Sequence, residues 1–290
     1  MPETLDTIVR FHDLRRLKEL DRCVFSLVCQ TYRPLNIILA VQRFCEADVE
    51  AVRSALSPHI EGESGVTLEI VNFDKDKPED ARSALLNTGL QAARGRYLGF
   101  LDYDDVLYPE AYVLLTSRLQ QSGAAIAFAS VRVMQLNVYY YVLYGVEELN
   151  PFYRGSGLTD LFKSNFCPLH SYLMDRSQAD QNTLHFDETM TMQEDYDFLL
   201  RFCAANVSDF ALTDTLIGDY YYKSDGSNTV PTTGGLKGEE LARFNAIVAA
   251  MEVRRRTTKV SDAVQRSLGI DDPDESATIR KVMDRIKVGV

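Results

Sequence analysis

The sequence predicts an α/β fold: a mostly parallel central sheet flanked by helices in the first half, mixed α+β structure in the second, and a helical C-terminal appendage. Three observations carry this. Apolar runs of strand character alternate with segments of helical periodicity up to Leu101; beyond Ala124 the strand-like runs lack helical crossovers; and from Leu236 the chain reads as helix.

Thr7 to Phe11 is a short β-favouring run. It is followed by Leu14, Leu17, Leu20, Val24 and Leu27 at three- and four-residue steps, the spacing of an amphipathic helix. Asn36 to Val41, after Pro34, is nearly continuous in apolar residues, as in a strand buried on both faces. Val66, Leu68 and Ile70 alternate with polar neighbours as a third strand. Asp80 is the expected N-cap of a helix carrying Leu85, Leu86, Leu90 and Ala93, which Gly95 ends before a strand from Tyr97 to Leu101. Ala124 to Val133 and Val138 to Leu143 read as further strands. Helix is expected from Leu236 to about Arg256, then an acidic stretch, then an amphipathic piece with Ile279, Val282, Met283 and Ile286. The organisation predicted is a catalytic unit over 1–235, divided into halves 1–120 and 121–235, with 236–290 as the appendage. Its last apolar stripe either covers the catalytic unit or pairs two subunits as a homodimer.

The 290 residues are 46% apolar and 25% charged, ordinary globular usage with enough apolar material for a sizeable core. Lys plus Arg number 31 against 42 for Asp plus Glu, a formal charge of −11, so the surrounding field disfavours general nucleic-acid binding. A small anionic substrate is compatible with that field only where a local cation, a helix N-terminus or a bound metal offsets it. The five cysteines are scattered and show no C-x-x-C spacing, which points to a reducing cytoplasm. No stretch has transmembrane or signal-peptide character, so the expected location is cytoplasmic, or peripheral at the inner face of the membrane.

Two acidic constellations carry the chemistry. Gly99-Phe-Leu-Asp102-Tyr-Asp104-Asp105 places three carboxylates directly after a buried strand. Crowded carboxylates repel, and a hard divalent ion that bridges them to substrate phosphates is the simple compensation; a solvated acidic turn is the plainer alternative. Gln193-Glu194-Asp195-Tyr196-Asp197 opens a helix with Tyr196, Leu199, Leu200 and Cys203 on one face. Acids in a first helical turn are favoured by the dipole, so taken alone this is a capping sequence. Together the two sets suggest a division of labour, one holding a metal and a diphosphate, the other taking a proton from a nucleophile.

In this order the segments resemble glycosyltransferase family 2, whose members have the GT-A fold. Four stretches between about Thr7 and Asn228 carry the resemblance. They are the opening strand and helix ending in Ser26-Leu-Val-Cys-Gln30-Thr31-Tyr32; Leu86-Asn87-Thr-Gly89 before Gly95-Arg-Tyr; Phe100-Leu-Asp102-Tyr-Asp104-Asp105; and Phe186-Asp187-Glu188 leading to Glu194-Asp195-Tyr196-Asp197. The resemblance implies an inverting transfer of a sugar from a nucleotide diphosphate, a UDP-sugar by expectation, to a hydroxyl of a glycan or lipid-linked acceptor in bacterial surface polysaccharide synthesis. It implies Mn²⁺ or Mg²⁺ held by Asp104, with Asp102 also touching the donor ribose and Asp105 in reserve. Arg10, Phe11, His12 and Asp13 would line the nucleobase with Gln42, Arg82, Asn87 and Tyr103 would face the donor, and Asp195 would be the base with Glu194 its competitor. His170 is the candidate acceptor contact.

Two departures stand out. Where the family usually carries an acidic turn after its second strand, this chain reads Val41-Gln42-Arg43-Phe44, and where the family often has a metal-binding His it reads Tyr222-Lys-Ser-Asp225-Gly-Ser227-Asn228. Asp225 is a possible replacement ligand. Arg254 to Arg256 with Lys259 form a basic run that could meet an anionic surface, although such runs are usually a solvated helix face. The departures keep a catalytically silent sugar-nucleotide-binding module in view. The Asp102-Tyr-Asp104 phrase also matches the opening motif of haloacid-dehalogenase-type phosphatases, but Gly218-Asp219 is followed by Lys223 where that class needs an acid.

Overall fold

The computed structural model describes residues 3–139, 142–149, 154–223 and 238–288. The first half alternates as expected: β1 (Leu5–Phe11), a 3₁₀ turn (Leu14–Arg16), α1 (Leu17–Val28), β2 (Leu35–Gln42), α2 (Glu46–Ile60), β3 (Val66–Phe73), α3 (Arg82–Ala92) and β4 (Tyr97–Asp102). There follow β5 (Val106–Leu107), α4 (Ala111–Ser122), the long β6 (Ile126–Tyr139), β7 (Val142–Glu148), α5 (Leu158–Lys163), β8 (Tyr172–Asp175), α6 (Glu194–Ala205) and β9 (Ser208–Lys223). The chain ends in α7 (Gly238–Thr257), α8 (Asp262–Ser267) and α9 (Ile279–Val288).

Among the described residues the strands form one mixed sheet in the order β3-β2-β1-β4-β8-β6-β9-β5, with β7 beside β6. β3, β2, β1 and β4 run parallel, because each is joined to the next by a helix that must cross back over the sheet. β8 is antiparallel to both β4 and β6. The inner strands β2, β1 and β4 are buried on both faces: Leu35, Ile37, Leu39 and Val41 lie in the core layer with α1, while Ile8, Ile38, Leu98 and Phe100 belong to the layer beneath α6. Gly89 is the reason α3 lies so close to β1, since a Cβ there would meet Ile8 Cγ2 at 2.5 Å.

Several local expectations change. The N-cap position of α3 is Ala81, and Asp80 instead turns to the side chain and amide of Arg82. The run from Val138 to Leu143 is no independent strand, because Val138 belongs to β6 and Leu143 to β7. α2 is invisible to periodicity because only Val52 and Leu56 of its 15 residues are buried and Pro58 lies inside it. β9 escapes because its pairing with β6 is interrupted by three register shifts, which break the alternation.

The C-terminal helices are not a detached appendage. Ile279, Val282 and Met283 are buried in the same cluster as Phe198, Leu199, Phe202 and Cys203 of α6, and Ser261 caps α8 while its hydroxyl donates to the Ala205 carbonyl. The stripe is consumed within the chain, so it is not the seam of a homodimer. Arg254 and Arg255 of the basic run also turn inward: Arg254 spans Asp187 and Asp197, and Arg255 donates to Tyr196 Oη at 2.9 Å. Arg256 alone of the three is solvated, with 68% of its side chain exposed. Ending the chain after Asp271 is expected to lower the melting temperature by several degrees without changing the molar mass in light scattering; Ile279→Ala alone is expected to cost about 2–5 kcal/mol in denaturant unfolding. Among the described residues no helix is long and apolar enough to cross a membrane.

Candidate active site

The carboxyl ends of β1, β2 and β4 open onto one cleft of about 430 Å³. That is where an open α/β sheet leaves room for a ligand. Register places Arg10 of β1 directly opposite Asp102 of β4 and Ala40 of β2. Arg10 donates from Nε and Nη2 to the two oxygens of Asp102, at 2.7 and 3.2 Å, and from Nη1 to Glu194 Oε1 at 2.7 Å. One guanidinium thus ties the acid loop after β4 to the first residue of α6. Arg82, at the start of α3, approaches the other Glu194 oxygen at 4.0 Å.

Strand alternation sorts the expected donor contacts. Arg10, His12, Gln42, Arg82, Asp102 and Tyr103 all line the cleft. Phe11 does not: its side chain points to the opposite face and is wholly buried, edge-on to Phe44 and Tyr103. Asp13 is spent on the backbone, capping the 3₁₀ turn through the Arg15 amide, and the Arg15 side chain holds its carboxyl down at about 2. Asn87 also lies away from the cleft. It exchanges hydrogen bonds with both backbone groups of Phe186 and donates to Glu188, clamping α3 to the segment that leads to α6. In the Val41-to-Phe44 turn, Arg43 binds the Lys75 and Asp76 carbonyls and so fastens the loop before α3.

The two acids of the α6 start differ in environment. Gln193, with φ of +56°, swings the chain into the helix, and its side chain makes no cap. Glu194 is 4% exposed and saturated by the arginines. It is an ion-pair partner across the sheet and not a capping residue. Asp195 is half-buried, accepts from its neighbour Tyr196 N at 2.8 Å and from Asn165 Nδ2 at 3.2 Å, and makes no direct ion pair among the described residues. Burial first, then the adjacent Glu194 charge, push its carboxyl up to about 7. Asn165, on the loop after α5, carries no signal in the sequence that would have singled it out.

His170 does not face an acceptor groove. Its side chain is 1% exposed, stacked parallel to Tyr220 and 3.5 Å from Asp105, behind the acid loop, and burial lowers it to about 4. It supports the loop as a neutral ring.

A divalent ion needs converging oxygens with lone pairs to spare. Asp102 is gripped on both oxygens by Arg10. Asp104 Oδ2 accepts from Lys223 Nζ at 2.5 Å, while its carbonyl accepts from Arg22 at 2.7 Å. Asp105 is 2% exposed, turned inward to the Tyr221 amide at 2.8 Å, and burial raises it well above the usual carboxylate range. Among the described residues no three His, Cys, Asp or Glu side chains gather as a metal-binding group; Asp225 lies outside them. Of the expected Mn²⁺ or Mg²⁺ ligands, the described Asp102, Asp104 and Asp105 do not fit that role as they stand, because each already meets a cation or a backbone amide. In the sequence Lys223 lies in the stretch from Tyr222 to Asn228 where the family often has a histidine and breaks the phosphatase motif, and neither feature marks it as a partner of Asp104.

A parallel β3-β2-β1-β4 block continued by antiparallel strands, with an acidic loop leaving β4 at the mouth of a cleft lined by arginines and carboxylates, is the architecture of GT-A glycosyltransferases. Residues 1–349 of S. aureus TarS in complex with UDP superpose with a TM-score of 0.56 at 12% identity, covering 92% of this chain and 70% of that one. The same protein with UDP-GlcNAc gives 0.57 at 12% identity, covering 92% and 71%. Residues 14–181 match Glycosyl transferase family 2, more than half of the chain, and the protein belongs to that family. Family membership sets aside the phosphatase alternative. The succinoglycan biosynthesis protein ExoO of Rhizobium meliloti (strain 1021) is 26% identical over 192 residues, 56% of this chain and 53% of its own length, so the chain spans about half of that relative. The family match ends before Glu194 and Asp195, whose roles therefore rest on geometry.

Proposed function

We propose that the protein transfers a sugar from a UDP-sugar to an acceptor hydroxyl with inversion, in the synthesis of a polysaccharide. The observation that carries this is Asp195, a carboxyl without an ion pair among the described residues and with affinity for a proton near neutrality, beside an Arg10 bridge that leads into the cleft. In this reading Asp195 takes the proton of the acceptor hydroxyl, the freed oxygen attacks the anomeric carbon, and the bond from that carbon to the diphosphate oxygen breaks on the opposite face. A single displacement inverts the centre. A base of pKa near the working pH is the efficient choice for this step. Arg16 and Arg82 on the cleft wall would meet the phosphates, offsetting the protein's negative field.

The UDP in TarS and the polysaccharide role in the name of ExoO support the donor and the pathway class. The acceptor in this reading is a glycan or a lipid-linked sugar. The five unpaired thiols support a cytoplasmic site of action. Incubated with a panel of UDP-sugars, the protein is expected to release UDP and no inorganic phosphate. A silent binding module would release neither, and that result on a panel including UDP-GlcNAc would count against the transferase reading.

A further inference from the structure

We propose that Lys223 supplies, from within the chain, the positive charge that a divalent ion would otherwise bring to the Asp104 carboxylate, so that nucleotide binding here does not require metal. The inference rests on the reading of the cleft as a nucleoside-diphosphate site. Lys223 is the last described residue of β9, and its ammonium is buried with 1% of the side chain exposed. A buried ammonium is costly unless it is paired. The described partners of this one include Asp104 Oδ2 at 2.5 Å and Glu19 Oε2 at 3.2 Å. Glu19 in turn holds Arg16, a residue of the cleft wall, at 2.9 Å.

The consequence is electrostatic. Asp104 lines the cleft and, left ionised and alone, would repel a diphosphate. With the ammonium behind it the carboxylate is neutralised, and Arg16, held by Glu19, and Arg82, held by Asp80, stand on the cleft wall where the phosphates would lie. A dication at the same carboxylate would have to displace the ammonium or sit against it, and either is opposed by like-charge repulsion in a site where screening is weak. Lys223 is a charge-compensating residue behind the cleft and does not line it.

The test is calorimetric titration of UDP into the full chain in EDTA and in excess Mn²⁺ or Mg²⁺. For the wild type the two affinities are expected to agree within about twofold. Lys223→Gln, which takes the ammonium from Asp104 while Glu19 keeps Arg16, is expected to bind UDP at least about tenfold more weakly in EDTA and to recover most of that loss when Mn²⁺ is added, whereas Lys223→Arg keeps metal-independent binding. Tightening of the wild type by tenfold or more with either ion overturns the proposal. That arm decides the matter even if Lys223→Gln fails to fold. Equal UDP affinity of wild type and folded Lys223→Gln in EDTA also overturns it. UDP that binds in neither condition overturns the proposal together with the reading of the cleft, while binding that demands metal overturns this inference alone.

Discussion

Asp195→Asn is expected to lower turnover about 10²- to 10⁴-fold while leaving UDP affinity nearly unchanged, because a general base acts in the chemical step and contributes little to donor binding. The variant keeps the shape of the side chain and one acceptor oxygen, which can serve either Asn165 Nδ2 or the Tyr196 amide, the two donors that Asp195 meets on separate oxygens. Its pH profile separates a base from a structural residue. The Asp195 carboxyl, raised to about 7, must be ionised to accept a proton, so wild-type kcat/KM is expected to rise with pH up to about 7 and level off above it. Below that point it falls about tenfold per pH unit, and Asp195→Asn removes this limb. Glu194→Gln is made in parallel. If that variant is inactive while Asp195→Asn still turns over, the base is Glu194 and the ion pair with Arg10 has another purpose. A large loss of UDP affinity in Asp195→Asn would place the residue in the donor site instead.

The second large effect is expected at Arg10. Arg10→Met removes the guanidinium that faces Asp102 and Glu194 and leaves Glu194, 4% exposed, with Arg82 at 4.0 Å as its nearest remaining cation. Removing one partner of a buried pair strands the other charge, at a cost of about 3–5 kcal/mol. Urea unfolding at pH 7 is expected to register that loss, and Arg10→Met/Glu194→Gln to recover a large part of it, since no charge is then stranded at α6. A single-variant cost under about 1 kcal/mol, or strict additivity in the double variant, would mean that water screens the pair and that the bridge between the two acid sets is not a structural element. The same substitution bears on catalysis: Arg10 works against the raised proton affinity of Asp195. In Arg10→Met the acid limb of the rate profile is therefore expected to move to higher pH.

Much of this site is legible without coordinates. A buried strand ending in Asp102, Asp104 and Asp105, and a helix opening with Glu194 and Asp195, are both visible from neighbour spacing. So is the parallel block, because alternating strand and helix patterns leave crossover connections as the short route between strands. The errors follow from the same reliance on neighbours. Phe11 and Asp13 flank cleft residues in sequence, but one points through the sheet and the other caps a turn. Asn87 and His170 are polar residues in suggestive places, but Asn87 fastens two segments together and His170 is packed behind the acid loop as a neutral ring. The stripe on α9 reads equally well as a dimer seam or as core, and only its burial against α6 distinguishes the two.

Local pattern thus accounts for the strands and helices that build the cleft and for the acids at its edge, since hydrophobic periodicity and acid spacing are properties of residues close together along the chain. Which cation each acid meets is a property of the folded chain. Arg10 reaches Glu194 across 184 residues and Lys223 reaches Asp104 across 119, contacts that exist because parallel strands gather at one edge and because β9 returns beside the acid loop. No spacing rule spans such distances, and the charge on each carboxyl depends on them: Glu194 held by arginine, Asp195 left to bind a proton, and Asp104 matched with an ammonium.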